Sequence, residues 1–293
     1  MLLHAESQEG MLELIKIFLR TCLLHNLAIH PSKCELFKRS LIYCGLHISA
    51  QGITVDPERV QAIMDLPAPT TVGDVWKFKA TVGWIRRDIP LLSEAEAVLN
   101  EVVVQSLRGS KKQDMRAAQR IPLTASNWGA KQTAAWEAIQ AGLRTTITSS
   151  HRDRNMLACV FTDASVSGWG FAITQCAPDE LDKPWKEQRH ELLAVGSSKF
   201  RNAQINWHMT CKEAFPLLAA IKRHHHLLEG NVPFAVINDH KSLQHIFEAP
   251  LRSAYIPKPS RGRLARWALF LRTFTFVAHH IPGKINFFCD LLS

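Results

Sequence analysis

The chain has 293 residues, 46% of them apolar, and its 35 Lys and Arg against 26 Asp and Glu leave a formal charge of +9. That length suits two domains with a core each, and a partly clustered basic excess points to a polyanionic partner, nucleic acid foremost. No run of 18 apolar residues occurs, the first residues carry no apolar signal segment, and seven cysteines form no Cys-x-x-Cys pair. These features exclude a membrane-spanning or secreted protein, a zinc ribbon and a disulfide framework, and leave an intracellular chain with buried thiols as the expectation.

In chain order, Ser7 caps a predicted helix whose apolar positions Met11, Ile15, Phe18 and Cys22 recur at three and four residues to about Leu24, so that one face should be core. Residues 34–55 alternate around a Gln51-Gly52 turn and predict short antiparallel strands. Asp56-Pro57 starts a helix and Leu66-Pro67 ends it; helical spacing returns over 71–104 around Val75, Phe78, Val82 and Ile85. The polar stretch 108–120, with Lys111 and Lys112 among five basic residues, lacks periodicity and reads as a linker or mobile loop. Trp128, Trp136, Ile139 and Leu143 predict one more helix before a domain boundary at 149–155.

Beyond that boundary the pattern becomes α/β. Strands are predicted at 157–161, 170–175 and 190–200, a helix at 211–228, a strand at 234–237, a short helix after Asp239, a basic helix at 262–272, a strand at 274–280 and a last helical turn at Asn286. Strands and helices in that order need crossover connections and a mixed sheet.

Four acids stand at marked places in this order: Asp163 ending the first strand, Glu213 in the long helix, Asp239 ending the fourth strand and Asp290 in the last turn. Carboxylates brought within about 4 Å repel by roughly 4 kcal/mol per pair at an effective dielectric of 20, so a fold that gathers them needs cations, and hard divalent ions suit oxygen donors. Each acid also has a local alternative. Glu213 completes a capping box with Thr210, Asp163 and Asp239 could serve strand-end turns, and Asp290 could be a solvated helix residue. The triplet His224-His225-His226 faces three directions on a helix and cannot chelate one ion. Lys258, Arg261, Arg263 and Arg266, with Arg272 beyond and Trp267 among them, combine a basic face for phosphates with a core face of Leu264, Trp267, Ala268 and Leu271.

The blocks Thr162-Asp163-Ala164-Ser165, Asn206-Trp207 with Lys212-Glu213-Ala214-Phe215, Asp239-His240-Lys241-Ser242-Leu243, Arg266-Trp267, Gly283-Lys284-Ile285-Asn286 and Asp290-Leu291-Leu292-Ser293 resemble, in that order, the ribonuclease H of gypsy-type LTR retrotransposon polyproteins. Leu2-Leu3-His4-Ala5-Glu6-Ser7, Pro31-Ser32-Lys33-Cys34-Glu35-Leu36-Phe37, Gly52-Ile53-Thr54-Val55-Asp56-Pro57 and Trp84-Ile85-Arg86-Arg87 resemble the end of the palm, the thumb and the connection of the reverse transcriptase in such polyproteins. The resemblance implies a ribonuclease H-like α/β fold, a mixed five-stranded sheet with flanking helices over 151–293. An α+β palm remnant over 1–66 and thumb and connection helices over 67–150 would precede it. The family's aromatic-x-Asp-Asp polymerase motif is absent, since no two aspartates are adjacent. Other departures are Asn238 where Thr is usual and Pro216 inside the long helix.

The activity so implied is hydrolysis of the RNA strand of RNA/DNA hybrids by two Mg²⁺ or Mn²⁺ ions among Asp163, Glu213, Asp239 and Asp290, Asp163 bridging both and Glu213 reading the ribose 2′-hydroxyl. His280, ten residues before Asp290, and His240, beside the third acid, are the two candidates for moving protons. The implied partners are an RNA/DNA hybrid or other nucleic acid and other subunits of the same polyprotein; the implied location is the cytoplasm, a virus-like particle or the nucleus. The alternative is a nucleic-acid-binding or scaffolding remnant without catalysis.

Overall fold

The computed structural model describes residues 1–85, 92–109, 112–144, 148–184, 187–229, 233–240 and 257–282. Lys111, Asp290, the short helix expected after Asp239 and the last helical turn at Asn286 lie outside these.

Helix α1 (Gln8–Leu24) begins where Ser7 Oγ accepts from Gly10 N at 3.0 Å, as its capping position predicts. The expected face of α1 is partly covered, with Met11, Ile15 and Phe18 half-buried and Cys22 buried, while Leu12 and Leu19 flanking it are not. Cys22 is its one buried residue, and Leu12, Ile17, Leu19, Leu23 and Leu24 are exposed. Periodicity reports an apolar stripe and not how completely it is covered.

Strands β1 (Leu41–Tyr43), β2 (Leu46–Ser49) and β3 (Gly52–Val55) form an antiparallel meander. Helix α2 (Pro57–Met64) follows at once, capped by Asp56 with Pro57 in its first turn. Helices α3 (Val72–Ile85), α4 (Leu92–Ser106) and α6 (Ala130–Arg144) enclose an apolar core in which Phe78 stacks on Trp136 at 3.7 Å, with Val75, Leu99, Ile139 and Leu143 buried around them.

The stretch 108–120, expected as a loop, contains helix α5 (Met115–Gln119), capped by Asp114 Oδ1 on Ala117 N at 2.8 Å. Only Ala118 of this helix is buried, and tertiary contact holds the segment in place. Val72 N donates to Ile121 O and Leu123 N to Thr70 O, both at 2.9 Å, and Gly73 lets Gln119 approach so closely that a Cβ there would stand 2.8 Å from Gln119 Cα.

The second half is a five-stranded sheet in the order β6-β5-β4-β7-β8, built from β4 (Leu157–Ala164), β5 (Gly168–Cys176), β6 (Glu191–Lys199), β7 (Phe234–Asn238) and β8 (Phe276–His280). β4, β5 and β6 run antiparallel in succession, whereas β7 runs parallel to both β4 and β8. This is the mixed sheet of a ribonuclease H-like fold, and it belongs to an α/β architecture. Helix α7 (Met209–Leu228) packs Leu217, Ala220 and Ile221 on the face formed by Val160, Phe171, Ile173 and Val236. It runs through the buried Pro216, and its departure from helical geometry comes later, at His224. Helix α8 (Lys258–Leu271) lies against α7 through Leu264 and starts four residues earlier than expected. A smaller apolar cluster of Cys159, Phe161, Ala172, Cys176, Ala235, Ile237 and Ile281 fills the opposite face of the sheet.

The two halves meet at residues 148–151. Ser149 exchanges hydrogen bonds with Ile53 at 2.8 and 2.9 Å, while Ser150 N donates to Leu192 O at 2.6 Å, so one short segment joins β3 to β6. Gly52, at φ +134°, is required there, because a Cβ would collide with the Ser149 carbonyl.

Candidate metal centre and nucleic-acid face

β4 and β7 are parallel neighbours with Phe161 opposite Ile237. Two residues further along each strand, Asp163 and Asp239 stand level at the carboxyl ends of adjacent parallel strands, the place where open α/β sheets collect ligand chemistry. Glu213 enters from the second turn of α7. The α7 cap is His208, whose side chain accepts from Thr210 N, so Thr210 is already inside the helix and Glu213 is not the far member of a capping box. The three acids bring carboxylate oxygens within 4.8 Å of one another.

Electrostatics make this arrangement costly without a counter-charge. Glu213 is 8% exposed; burial first, then the charges of Asp163 and Asp239, push its carboxyl up to about 8. Burial and the Asp163 charge also raise Asp239, against the opposing pull of His240 and His280. Three hard oxygen donors whose burial and mutual repulsion hold a proton on one of them fit a divalent cation that would replace that proton.

Both candidate histidines lie beside Asp239. The His280 Nε2 is 3.0 Å from the Asp239 carbonyl, to which it donates, and β8 places His280 opposite Asn238. His240 N donates to Asn238 Oδ1 at 3.1 Å, and burial lowers the His240 pKa. Two further residues, to which the sequence patterns above assign no role, shape the site. Asn238 is buried and turns the chain between Asp239 and His240. Lys212, 4% exposed, donates to Val166 O at 2.6 Å and lies 5.2 Å from the Phe200 ring centre, tying α7 to the turn that follows Asp163. A Lys beside Glu213 on a helix carries no sequence signal for that role, but the polar Asn238 ending an apolar strand does.

The basic segment forms a face of its own on α8. Arg263 lies 4.4 Å from the Trp207 ring centre, Trp267 packs against Trp207 and Phe215, and Lys258 and Arg266 are exposed. Leu264, Ala268 and Leu271 are buried on the other side, while Trp267, half-buried, straddles the two faces. The Arg261 Nε is buried with no hydrogen-bond partner among the described residues. Lys112 is exposed just before α5, in the first half of the chain.

Residues 153–274 match the RNase H-like domain found in reverse transcriptase. Over all 293 residues the chain is 28% identical to the Transposon Tf2-3 and Tf2-4 polyproteins of Schizosaccharomyces pombe, of which it spans 20% of the length. Among solved structures it is similar to the foamy viral protease-reverse transcriptase in complex with RNA/DNA hybrid (TM-score 0.66, 16% identity, 96% of this chain and 34% of that chain). It is likewise similar to that protein in complex with dsDNA (TM-score 0.63, 16% identity, 96% of this chain and 52% of that one). Residues 153–274 are thus RNase H-like, and the whole chain is similar to about a fifth of a transposon polyprotein. Among the described residues no helix is long and apolar enough to cross a membrane.

Proposed function

We propose that the chain is an RNase H-type endoribonuclease from a gypsy-type LTR retrotransposon polyprotein, hydrolysing the RNA strand of RNA/DNA hybrids. The observation that carries this reading is the convergence of Asp163, Glu213 and Asp239 from three separate elements to within 4.8 Å. These acids, joined by Asp290, would hold two Mg²⁺ or Mn²⁺ ions. Such ions supply Lewis acidity for an attacking water and for the leaving 3′ oxygen.

The protein's own groups do the rest. Without a counter-charge Glu213 keeps a proton near neutrality, and as a carboxylate it would accept a hydrogen bond from a ribose 2′-hydroxyl and so favour RNA. His280 is held by its Nε2 on the Asp239 carbonyl, which leaves Nδ1 as the atom that takes up and returns a proton. Exposed Lys258 and Arg266, with Arg263 on Trp207, meet phosphates, and the first half grips the duplex through its backbone. The chain has no pair of adjacent aspartates, so we assign it no polymerase activity of its own.

The test uses the full chain, a labelled hybrid, and Mg²⁺ present or chelated. Metal-dependent cleavage of the RNA strand supports the enzyme; hybrid binding with no cleavage in Mg²⁺ or Mn²⁺ identifies a binding or scaffolding protein instead.

A further inference from the structure

A second group of metal-binding side chains lies on the opposite face of the sheet. Cys159 on β4, Cys176 on β5 and His190, just before β6, bring two sulfurs and an imidazole nitrogen within 4.8 Å of one another. Both cysteines are at most 1% exposed and His190 is half-buried. We propose that Cys159, Cys176 and His190 form a zinc-binding site that staples the β4–β5 hairpin to the segment entering β6.

The geometry suits a tetrahedral ion. The two sulfurs are 3.7 Å apart, and two thiolates on one tetrahedral zinc, each at about 2.3 Å, stand about 3.8 Å apart. A disulfide suits the pair less well. Cys159 lies opposite Thr174 and Cys176 opposite Leu157, so the cysteines are diagonal neighbours on the ladder, about 7–8 Å apart at Cα, past the usual disulfide span.

The imidazole is set for coordination by its neighbours. His190 Nε2 lies 2.9 Å from Gln188 Oε1, an acceptor, so Nε2 carries the hydrogen. That leaves the lone pair on Nδ1, which meets the Thr174 hydroxyl at 2.9 Å. A second partner that fixes the tautomer of a ligating histidine is the usual support of such a ligand. When zinc takes the Nδ1 lone pair, the Thr174 hydroxyl can turn its hydrogen to the Cys159 sulfur.

Charge balance favours the same ion. Two thiols give up two protons to the buffer, and the two thiolates with one Zn²⁺ carry no net charge, which a buried site tolerates best. Three protein donors leave the fourth corner of the tetrahedron to a solvent molecule. Soft sulfur donors separate this site from the all-oxygen group at Asp163, where hard cations belong. Its effect is on stability: zinc bound to the folded chain alone raises the melting temperature with zinc concentration.

The experiment titrates the metal-stripped full chain with Co²⁺ as the spectroscopic probe and then displaces it with Zn²⁺. The result expected is a thiolate-to-cobalt charge-transfer band saturating at one ion per chain, bleached by Zn²⁺ and indifferent to excess Mg²⁺. The band should vanish in Cys159→Ala, Cys176→Ser and His190→Ala and persist in Cys211→Ala. Gln188→Ala, which keeps all three ligands, should weaken zinc affinity about 10–100-fold without changing the near-UV circular dichroism. Where a ligand variant fails to fold, alkylation of the folded wild-type chain decides: zinc should protect Cys159 and Cys176, read by mass spectrometry. No charge-transfer band in the wild type, a band that survives Cys176→Ser, or equal alkylation with and without zinc would overturn the proposal. Cleavage of hybrid is not part of this readout, so its failure bears on the acidic site alone.

Discussion

The helical layer of α3, α4 and α6 and the five-stranded sheet differ in what they bury. Around Phe78, Leu99, Trp136 and Ile139 the interior is apolar, and every buried polar or charged residue among those described lies at 162 or beyond: Thr162, Thr174, Gln175, Glu180, Thr210, Lys212, Glu213, Asn238 and Ser260. Burying a polar group costs free energy unless it is bonded, and most of these are. Gln175 reaches His151 O and Glu191, Thr174 meets His190, and Lys212 holds Val166 O. Glu213 differs in kind, because the charges nearest to it are those of two other acids. The helical layer is built for stability, whereas the sheet accepts instability at one end in order to gather charge.

The contrast can be broken most forcefully from the stable side. Phe78→Ala removes a fully buried ring stacked on Trp136 and should cost about 3–5 kcal/mol in denaturant unfolding, while metal titration of the surviving folded protein stays unchanged. A coupled loss of metal affinity would show that the two halves do not divide the work in this way.

At the site itself, His280→Ala should slow hybrid hydrolysis about 10²-fold or more, the scale of a missing general acid or base, and His240→Ala should change little. Rates near normal in His280→Ala, or the reverse order of the two variants, would move the proton-handling role away from Nδ1 of His280.

Glu213→Gln should act in opposite directions on activity and stability. The folded-state pKa of about 8 lies above the ordinary carboxyl value of 4.5, so the stability tied to this carboxyl is complete below about 4.5 and is lost as pH rises toward 8. In chelator at pH 8 the variant should therefore melt a few degrees higher than the wild type, at roughly 2–4 °C per kcal/mol, and the gap should close toward pH 4.5. Equal melting temperatures at both pH values would mean that the acids do not strain the metal-free fold.

The smallest effect concerns the α8 face. Arg263→Ala with Arg266→Ala should flatten the slope of log K against log salt for hybrid binding by about one unit for each phosphate that the variant no longer neutralises, with little change in melting temperature. An unchanged slope removes α8 from the interface.

Legibility in the sequence varies with how local each cause is. The α1 and α2 caps, the meander around Gly52 and the strand ends at Asp163 and Asp239 depend on a few adjacent residues, and the structure places them as the sequence predicts. Helix α8 reads four residues short because Pro257 and Pro259 look like breakers, although Pro is accepted in a first helical turn. Helix α5 depends on Gly73 and on backbone bonds to residues far away in sequence, which no window over 108–120 contains. The exposure of Leu12 and Leu19 beside the α1 stripe is hidden for a related reason, since an apolar stripe does not show how far its cover extends. Cys159 and Cys176 pass as separate thiols when compared by spacing along the chain. Folding the hairpin about its turn at 165–167 brings them onto one face, two residues out of register. Glu213 cannot be separated from a capping box until His208 is seen to cap α7.

The central claim is that Asp163, Glu213 and Asp239 form a metal centre for RNA cleavage, and the most direct measurement compares wild type with Asp163→Asn on a labelled RNA/DNA hybrid in Mg²⁺. The substitution keeps the size of the side chain and removes one of the charges that repel Glu213, so the variant should fold and should bind hybrid with unchanged salt dependence. Its cleavage rate should fall about 10³-fold, the several kcal/mol that removal of a metal ligand takes from the transition state. Cleavage by Asp163→Asn at the wild-type rate, or cleavage by the wild type in chelator, would contradict the account.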